Sequence, residues 1–145
     1  MTLDEVLDEM KKDFKVDPTN LEGEALRTTD GLFWKYMSLY SKAKLTAELI
    51  NDSIKHIIVR RRKYYSGDGT PEEYNKEPFG YKIKNEITMK EYLKNDAEIT
   101  KANQQVLFEK EKEAIYLGCL DHIKYTRGSS IKNAIEMRKF NGGQY

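Results

Sequence analysis

Residues 33–65 read FWKYMSLYSKAKLTAELINDSIKHIIVRRRKYY, a run of thirty-three residues without a single Pro or Gly. Apolar side chains recur through it at Phe33, Met37, Tyr40, Ala47, Ile50, Ile54 and Ile57/Ile58, with Lys44 interrupting the stripe. That spacing predicts one continuous helix. At about 1.5 Å per residue it forms a rod of roughly 50 Å. Gly67 is placed to cap its C-terminus, and Gly69 and Pro71 enforce the stop. A helix this long with an apolar stripe needs partners along its length, which points to a bundle or an oligomer rather than a compact monomer.

Working outward, residues 2–14 predict a short helix with Leu3, Val6, Met10 and Phe14 on one face. Asp17-Pro18 has the chemistry of a helix start, and Asp30-Gly31 of a weak point before the long helix. Residues 67–86 hold two of the three Pro, and they read as a mobile loop with room for a short extended piece at Tyr81–Ile83. Thr88–Leu93 suggests a helical turn, and Asp96–Tyr125 a third long helix that stops at Arg127-Gly128. A last helix begins at Ser129 or Ser130 and ends at Asn141-Gly142-Gly143, with Ile131, Ala134, Ile135 and Phe140 as its apolar face. The expected fold class is all-α, mainly helical, with at most a minor extended segment near 80–86. The expected division is a body over 1–128 and a C-terminal helix over 129–145.

The chain has 145 residues, of which 34% are charged and 11% aromatic, ten of them Tyr. That is polar, yet rich enough in rings to build a core. A single Cys excludes an intrachain disulfide and fits a reducing compartment. No apolar run reaches the length that spans a membrane, and the charged MTLDEVLDEMKKDF does not read as a signal peptide. The net charge of +1 conceals blocks. Residues 1–30 carry nine acidic and four basic groups, whereas residues 31–67 carry eight basic and two acidic ones. A polyanion responds to the second block rather than to the average.

Catalytic groups are scarce. His56 and His122 lie on separate helices, and neither has a second ligand at metal spacing. Cys119 in YLGCLDHI reads as a buried thiol rather than a nucleophile paired with His122. No GxxxxGK[ST] is present. The expectation is therefore no enzyme, no metal and no cofactor.

One constellation stands apart: Arg60-Arg61-Arg62-Lys63-Tyr64-Tyr65 at the end of the long helix, with Lys55 one to two turns earlier. The apolar stripe continues at i+3/i+4 onto Arg61 and then Tyr64/Tyr65, so Arg61 occupies an apolar azimuth. A helix C-terminus attracts cations through its dipole, but one or two suffice and the paired rings are not required. Cations for phosphate with rings for bases is the combination that single strands need. A solvated helix cap and a membrane-surface helix remain alternatives.

Four stretches resemble the UvsY family of phage recombination mediators: DEMKKDFKVDPTNLEGEA (8–25), RRRKYYSGDG (60–69), LKND (93–96) and IKYTRGSSIKNAIEMRKFNGG (123–143). They come in the family's order and spacing, and the resemblance runs nearly end to end. The resemblance implies a helical homo-oligomeric ring of six or seven subunits in the cytoplasm of an infected bacterial host. It implies three partners: single-stranded DNA, the phage RecA-like recombinase and the phage single-strand-binding protein. The mediator would help that recombinase assemble on strands covered by the binding protein. The family's DNA-binding arginine falls on Arg61. Its partner lysine falls on Val59, leaving Arg60, Arg62 or Lys55 to substitute. The family's oligomerisation region falls on the helix of Ile131 and Ile135. The alternative from another class is a helical scaffold that binds only protein.

Overall fold

The computed structural model describes residues 1–142, and among these the regular elements are all helical. They are α1 (Leu3–Phe14), α2 (Leu21–Leu26), α3 (Phe33–Ser66), α4 (Pro71–Lys76), α5 (Glu86–Lys94), α6 (Ala97–His122) and α7 (Gly128–Asn141). Two π-helical segments, Arg27–Leu32 and Ile123–Arg127, join α2 to α3 and α6 to α7. The chain forms two compact units, residues 1–44 with the chain from 110 onward, and residues 45–109.

The long helix forms where it is expected, and from Tyr40 onward its buried seam follows the predicted stripe, with Tyr36 in place of Met37 and Ala43 filling the gap at Lys44. Met37 is exposed, and the inward positions are Tyr36, Ala43, Ala47, Ile54, Arg61, Tyr64 and Tyr65, with Tyr40, Ile50 and Ile57 half-buried among them. These fall at alternating steps of four and three, the register of a coiled-coil seam. Lys44 interrupts nothing, because Ala43 carries the seam. Gly67 adopts φ +91° and ends α3. The Asp68 N–H bonds to the Lys63 carbonyl and the Gly67 N–H to that of Tyr64, the paired bonds of a Schellman cap.

In the first unit Val6, Leu32, Tyr36, Ala43, Tyr116, Cys119 and Ile123 form the core. Burial pushes the Cys119 thiol up to about 11, so it stays protonated at neutral pH. Arg127 is 2% exposed. Its guanidinium donates to Glu24 at 2.6 Å, to the Phe14 carbonyl at 2.7 Å and to the Thr28 hydroxyl at 2.9 Å. Glu24 in turn accepts from Arg27. One buried cation thus ties together the end of α1, α2 and both π segments.

Several boundaries differ from the sequence reading. Asp17 does not open a helix; it closes a turn by accepting from the N–H and hydroxyl of Thr19, and Asn20 caps α2 instead. Gly31 and Gly128 do not break their helices, because an extra residue per turn is absorbed as π geometry on each side of the Arg127 clamp. α7 follows α6 through the second π segment and packs on α2. Residues 143–145, including Gly143 of the expected stop, lie outside the described residues. The 67–86 segment is not a structureless loop either. Thr70 caps α4 with a reciprocal Glu73 contact, and the rings of the segment pack onto α3.

Candidate nucleic-acid interface

The basic end of α3 lies within the second unit, where Ile54, Ala102 and Val106 give way to a cluster of Tyr64, Tyr65, Ile83, Met89, Leu93 and Ile99. Four consecutive charges on a helix must point in different directions. Arg61 points inward and is 7% exposed. Its Nε donates to Asp96 at 2.7 Å, its Nη2 donates to the Tyr65 hydroxyl at 3.2 Å, and the Glu77 carboxylate lies at 3.3 Å. The guanidinium also sits 4.3 Å from the Tyr64 ring centre and 5.1 Å from that of Tyr65.

Asp96 serves two functions. One oxygen caps α6 by accepting from the Ile99 N–H at 3.0 Å. The other accepts from Arg61 and, at 2.5 Å, from the Tyr65 hydroxyl. Burial opposes its charge, but Tyr65, the Ile99 N–H and Arg61 together hold the carboxyl below its usual range. Burial, reinforced by Asp96, pushes the Tyr65 phenol up to about 12.

The neighbouring residues assemble around this pair. Tyr74 stacks on Tyr64 at 5.1 Å; its hydroxyl accepts from the Gly69 N–H and donates to the Tyr64 carbonyl. The Tyr64 hydroxyl donates to the Glu77 carbonyl. The Ile83 N–H donates to the Tyr65 carbonyl at 3.0 Å, pinning the irregular segment that follows α4.

The seven predicted contact residues thus separate into two groups. Arg61, Tyr64 and Tyr65 are buried within this unit, Arg61 on the inward azimuth its spacing predicts, and the hydrogen-bonded Asp96 and the surrounding rings cover their faces. Arg60, Lys55 and Lys63 are exposed, and Arg62 is partly so. Arg60 pairs with Glu98, and Arg62 makes two 2.9 Å contacts with Glu86, both in solvent. Lys55 lies 3.8 Å from Asp52, with both side chains about three-quarters exposed. Such solvated pairs are worth little and exchange readily. Val59 is 55% exposed, so its lysine counterpart's position faces solvent.

Sequence reasoning missed two further cations. Arg62, Lys63, Lys82 and Lys84 line one open groove of about 640 Å³ together with Asp68. The signal is the Lys-x-Lys pair of 82 and 84, inside a segment that reads as a loop. Gly67 has a further role here: a Cβ on it would fall 2.8 Å from the Lys82 side chain, so the missing Cβ lets that stem lie across the helix end. Among the described residues no three His, Cys, Asp or Glu side chains gather as a metal set, and no helix is long and apolar enough to cross a membrane.

The model of the family described as recombination, repair and ssDNA binding protein UvsY matches residues 9–144. The chain belongs to the UvsY family. It is 31% identical over 144 residues to the recombination protein uvsY of Enterobacteria phage T4, covering 99% of this chain and 100% of that one. Two crystal forms of the T4 recombination mediator protein UvsY superpose with a TM-score of 0.77. They are 28% and 29% identical and cover 97% and 98% of this chain, and 99% and 98% of theirs. Family members with this fold are mainly helical, which agrees with the all-α expectation.

Among the expected oligomerisation residues, Ile131 is 2% exposed and is used inside its own unit, beside Leu21 and Arg127. Ile135 is half-buried, while Ala134 and Phe140 face outward. Met137, which sequence reading passed over, is 60% exposed on the same helix. Arg138 pairs with Glu22 of α2 in solvent.

Proposed function

We propose that the protein is a recombination mediator: an oligomer that binds single-stranded DNA and helps load a RecA-like recombinase onto strands covered by single-strand-binding protein, in the host cytoplasm. The observation that carries this reading is the groove at the end of α3, which Arg62, Lys63, Lys82 and Lys84 line with Asp68, Arg62 also pairing with Glu86. A strand needs repeated modest phosphate contacts, and a mediator that must later release the strand benefits from weak ones. A ring of six or seven subunits multiplies such contacts through effective concentration. In this reading Arg60, Arg62, Lys63 and Lys55 meet phosphate, whereas Arg61, Tyr64 and Tyr65 are positioning residues that hold the helix end in place. α7 supplies the subunit contact through Ala134, Ile135, Met137 and Phe140, while Ile131 supports the protomer. No step of this function requires a catalytic group, metal or cofactor.

Titration of a fluorescent oligothymidine at several salt concentrations, with native mass on the same sample, tests the reading. The expected result is a complex of six or seven subunits whose affinity falls with salt by about 0.7 log units per log unit for each phosphate neutralised. Recombinase assembly on strands coated with single-strand-binding protein should accelerate in its presence. The scaffold reading draws on the fact that Arg60 and Arg62 already have carboxylate partners. Absence of salt-dependent binding would favour it.

A further inference from the structure

The rings of the second unit form a continuous series whose exposure rises outward. Tyr64 is 1% exposed and Tyr65 7%, but Tyr92 is 39% and Tyr81 72%. Phe79 links them, with ring centres 5.3 Å from Tyr65, 5.8 Å from Tyr92 and 5.9 Å from Tyr81. Tyr92 also packs on Tyr65 at 5.4 Å. Tyr81 and Tyr92 line a second open groove, of about 330 Å³, with Lys82, Lys84, Asn85 and Thr88. Lys82 and Lys84 line the cationic groove as well, so the two grooves share these residues.

Tyr81 is 72% exposed and keeps a ring face open to solvent beside the buried rings. The position is fixed rather than incidental: Ile83 is buried and hydrogen-bonded to α3, which leaves Tyr81, Lys82 and Lys84 in solvent around it. We propose that Tyr81 and Tyr92 form a base-stacking subsite for single-stranded nucleic acid, with Lys82 and Lys84 gripping the flanking phosphates. The occupant follows from the chemistry. Cations alone would suit any polyanion and rings alone any apolar partner, but one groove lined by Tyr81 and Tyr92 together with Lys82 and Lys84 sets ring faces beside cations, as a single strand sets bases beside phosphates. Rigid rings backed by Phe79 and Tyr65 also need little ordering when a base arrives. The inference rests on the single-strand reading above and names the part of the site that recognises bases.

The test compares an oligothymidine with an abasic deoxyribose-phosphate oligomer of equal length, using the full-length protein. Tyr81→Ala should weaken oligothymidine binding about five- to tenfold with an unchanged salt slope, and leave abasic binding as in wild type. Tyr81→Phe should bind like wild type, since a stack needs the ring and not the hydroxyl. Tyr92→Leu, which preserves packing on Tyr65 and Phe79, should show the same base-dependent loss as Tyr81→Ala. Lys82→Ala with Lys84→Ala should weaken both oligomers and lower the salt slope by about 1.4. Equal losses on the abasic oligomer, or a Tyr81→Ala protein that binds oligothymidine as wild type does, would overturn the subsite while the mediator reading stands. A wild-type protein that binds neither oligomer would overturn both.

Discussion

Each compact unit is built around one buried arginine, and the two are not alike. Arg127 is enclosed: Glu24, Thr28 and the Phe14 carbonyl take its donors, and all belong to the framework of the first unit. Arg61 is enclosed on one side only. Asp96 and Tyr65 hold it from within, but its outer partner Glu77 has a side chain 62% exposed and touches it at 3.3 Å. Arg62 and Lys63, the next two residues, already face the open cationic groove. The first arginine closes a fold, and the second supports a surface. Burial of a charge in a helical protein therefore does not by itself tell a clamp from the base of a binding site. The accessibility of its partners does.

The largest expected effect follows from removing the enclosed arginine. Arg127→Ala empties a buried site and takes the donor from the Thr28 hydroxyl, the Phe14 carbonyl and Glu24, which keeps only Arg27, and should cost about 3–5 kcal/mol in urea unfolding. Strand binding should fall only in proportion to the unfolded fraction. Arg61→Ala should cost somewhat less, near the lower end of that range, because solvent reaches its side of the cluster through Glu77. Arg61→Met combined with Asp96→Asn should recover part of the loss, since the asparagine still caps α6. Equal costs for both arginines, with no recovery in the double variant, would erase the distinction.

Acid sharpens the comparison. Asp96 and Glu24 both have carboxyls held below their usual range, Glu24 chiefly by Arg27 and Asp96 by Tyr65, the Ile99 N–H and Arg61 against the opposing effect of burial. Groups with a lowered folded pKa contribute stability that is fully present above the ordinary carboxylate range. That contribution is lost as pH falls through the folded value. Stability should thus be flat near neutrality and decline below about pH 4. Asp96→Asn should lie lower at neutral pH and lose less on acidification. An acid limb as steep as that of wild type would assign the effect elsewhere.

Much of this was readable in the chain, and the gaps have physical causes. The 34-residue α3 and its glycine cap are local properties, so spacing and Gly67 reveal them. Arg61's inward azimuth was equally visible, but its partner Asp96 lies thirty-five residues away, and no local rule links them. Without Asp96 an inward arginine reads as a site, and with it as a support. The π segments were missed because Gly31 and Gly128 look like stops, whereas the Arg127 clamp across a hundred residues holds both turns in register. Tyr81, Lys82 and Lys84 are not legible as a site because their Gly- and Pro-bearing segment reads as a mobile loop with at most a short extended piece. Its order comes from Tyr64, Tyr74 and the Ile83 hydrogen bond rather than from its own propensity.

Smaller effects are expected on α7 and at the groove. Met137→Asp with Phe140→Asp should reduce the native mass while keeping helical content, whereas Ile131→Asp should unfold the first unit as well. A double variant that still sediments as the full assembly would place the subunit contact elsewhere. Arg62→Ala with Lys63→Ala should change stability by no more than about 0.5 kcal/mol, as surface substitutions do.

The most direct test measures the salt slope of oligothymidine binding in two stable variants side by side. One is Lys63→Ala with Lys82→Ala, which removes exposed cations; the other is Arg61→Met with Asp96→Asn, which removes the buried pair. The account predicts that the first loses about 1.4 from the slope, two phosphates' worth, and that the second keeps the wild-type slope. A second variant whose slope falls while the first stays at wild type would place the phosphate contact on Arg61 and contradict the account.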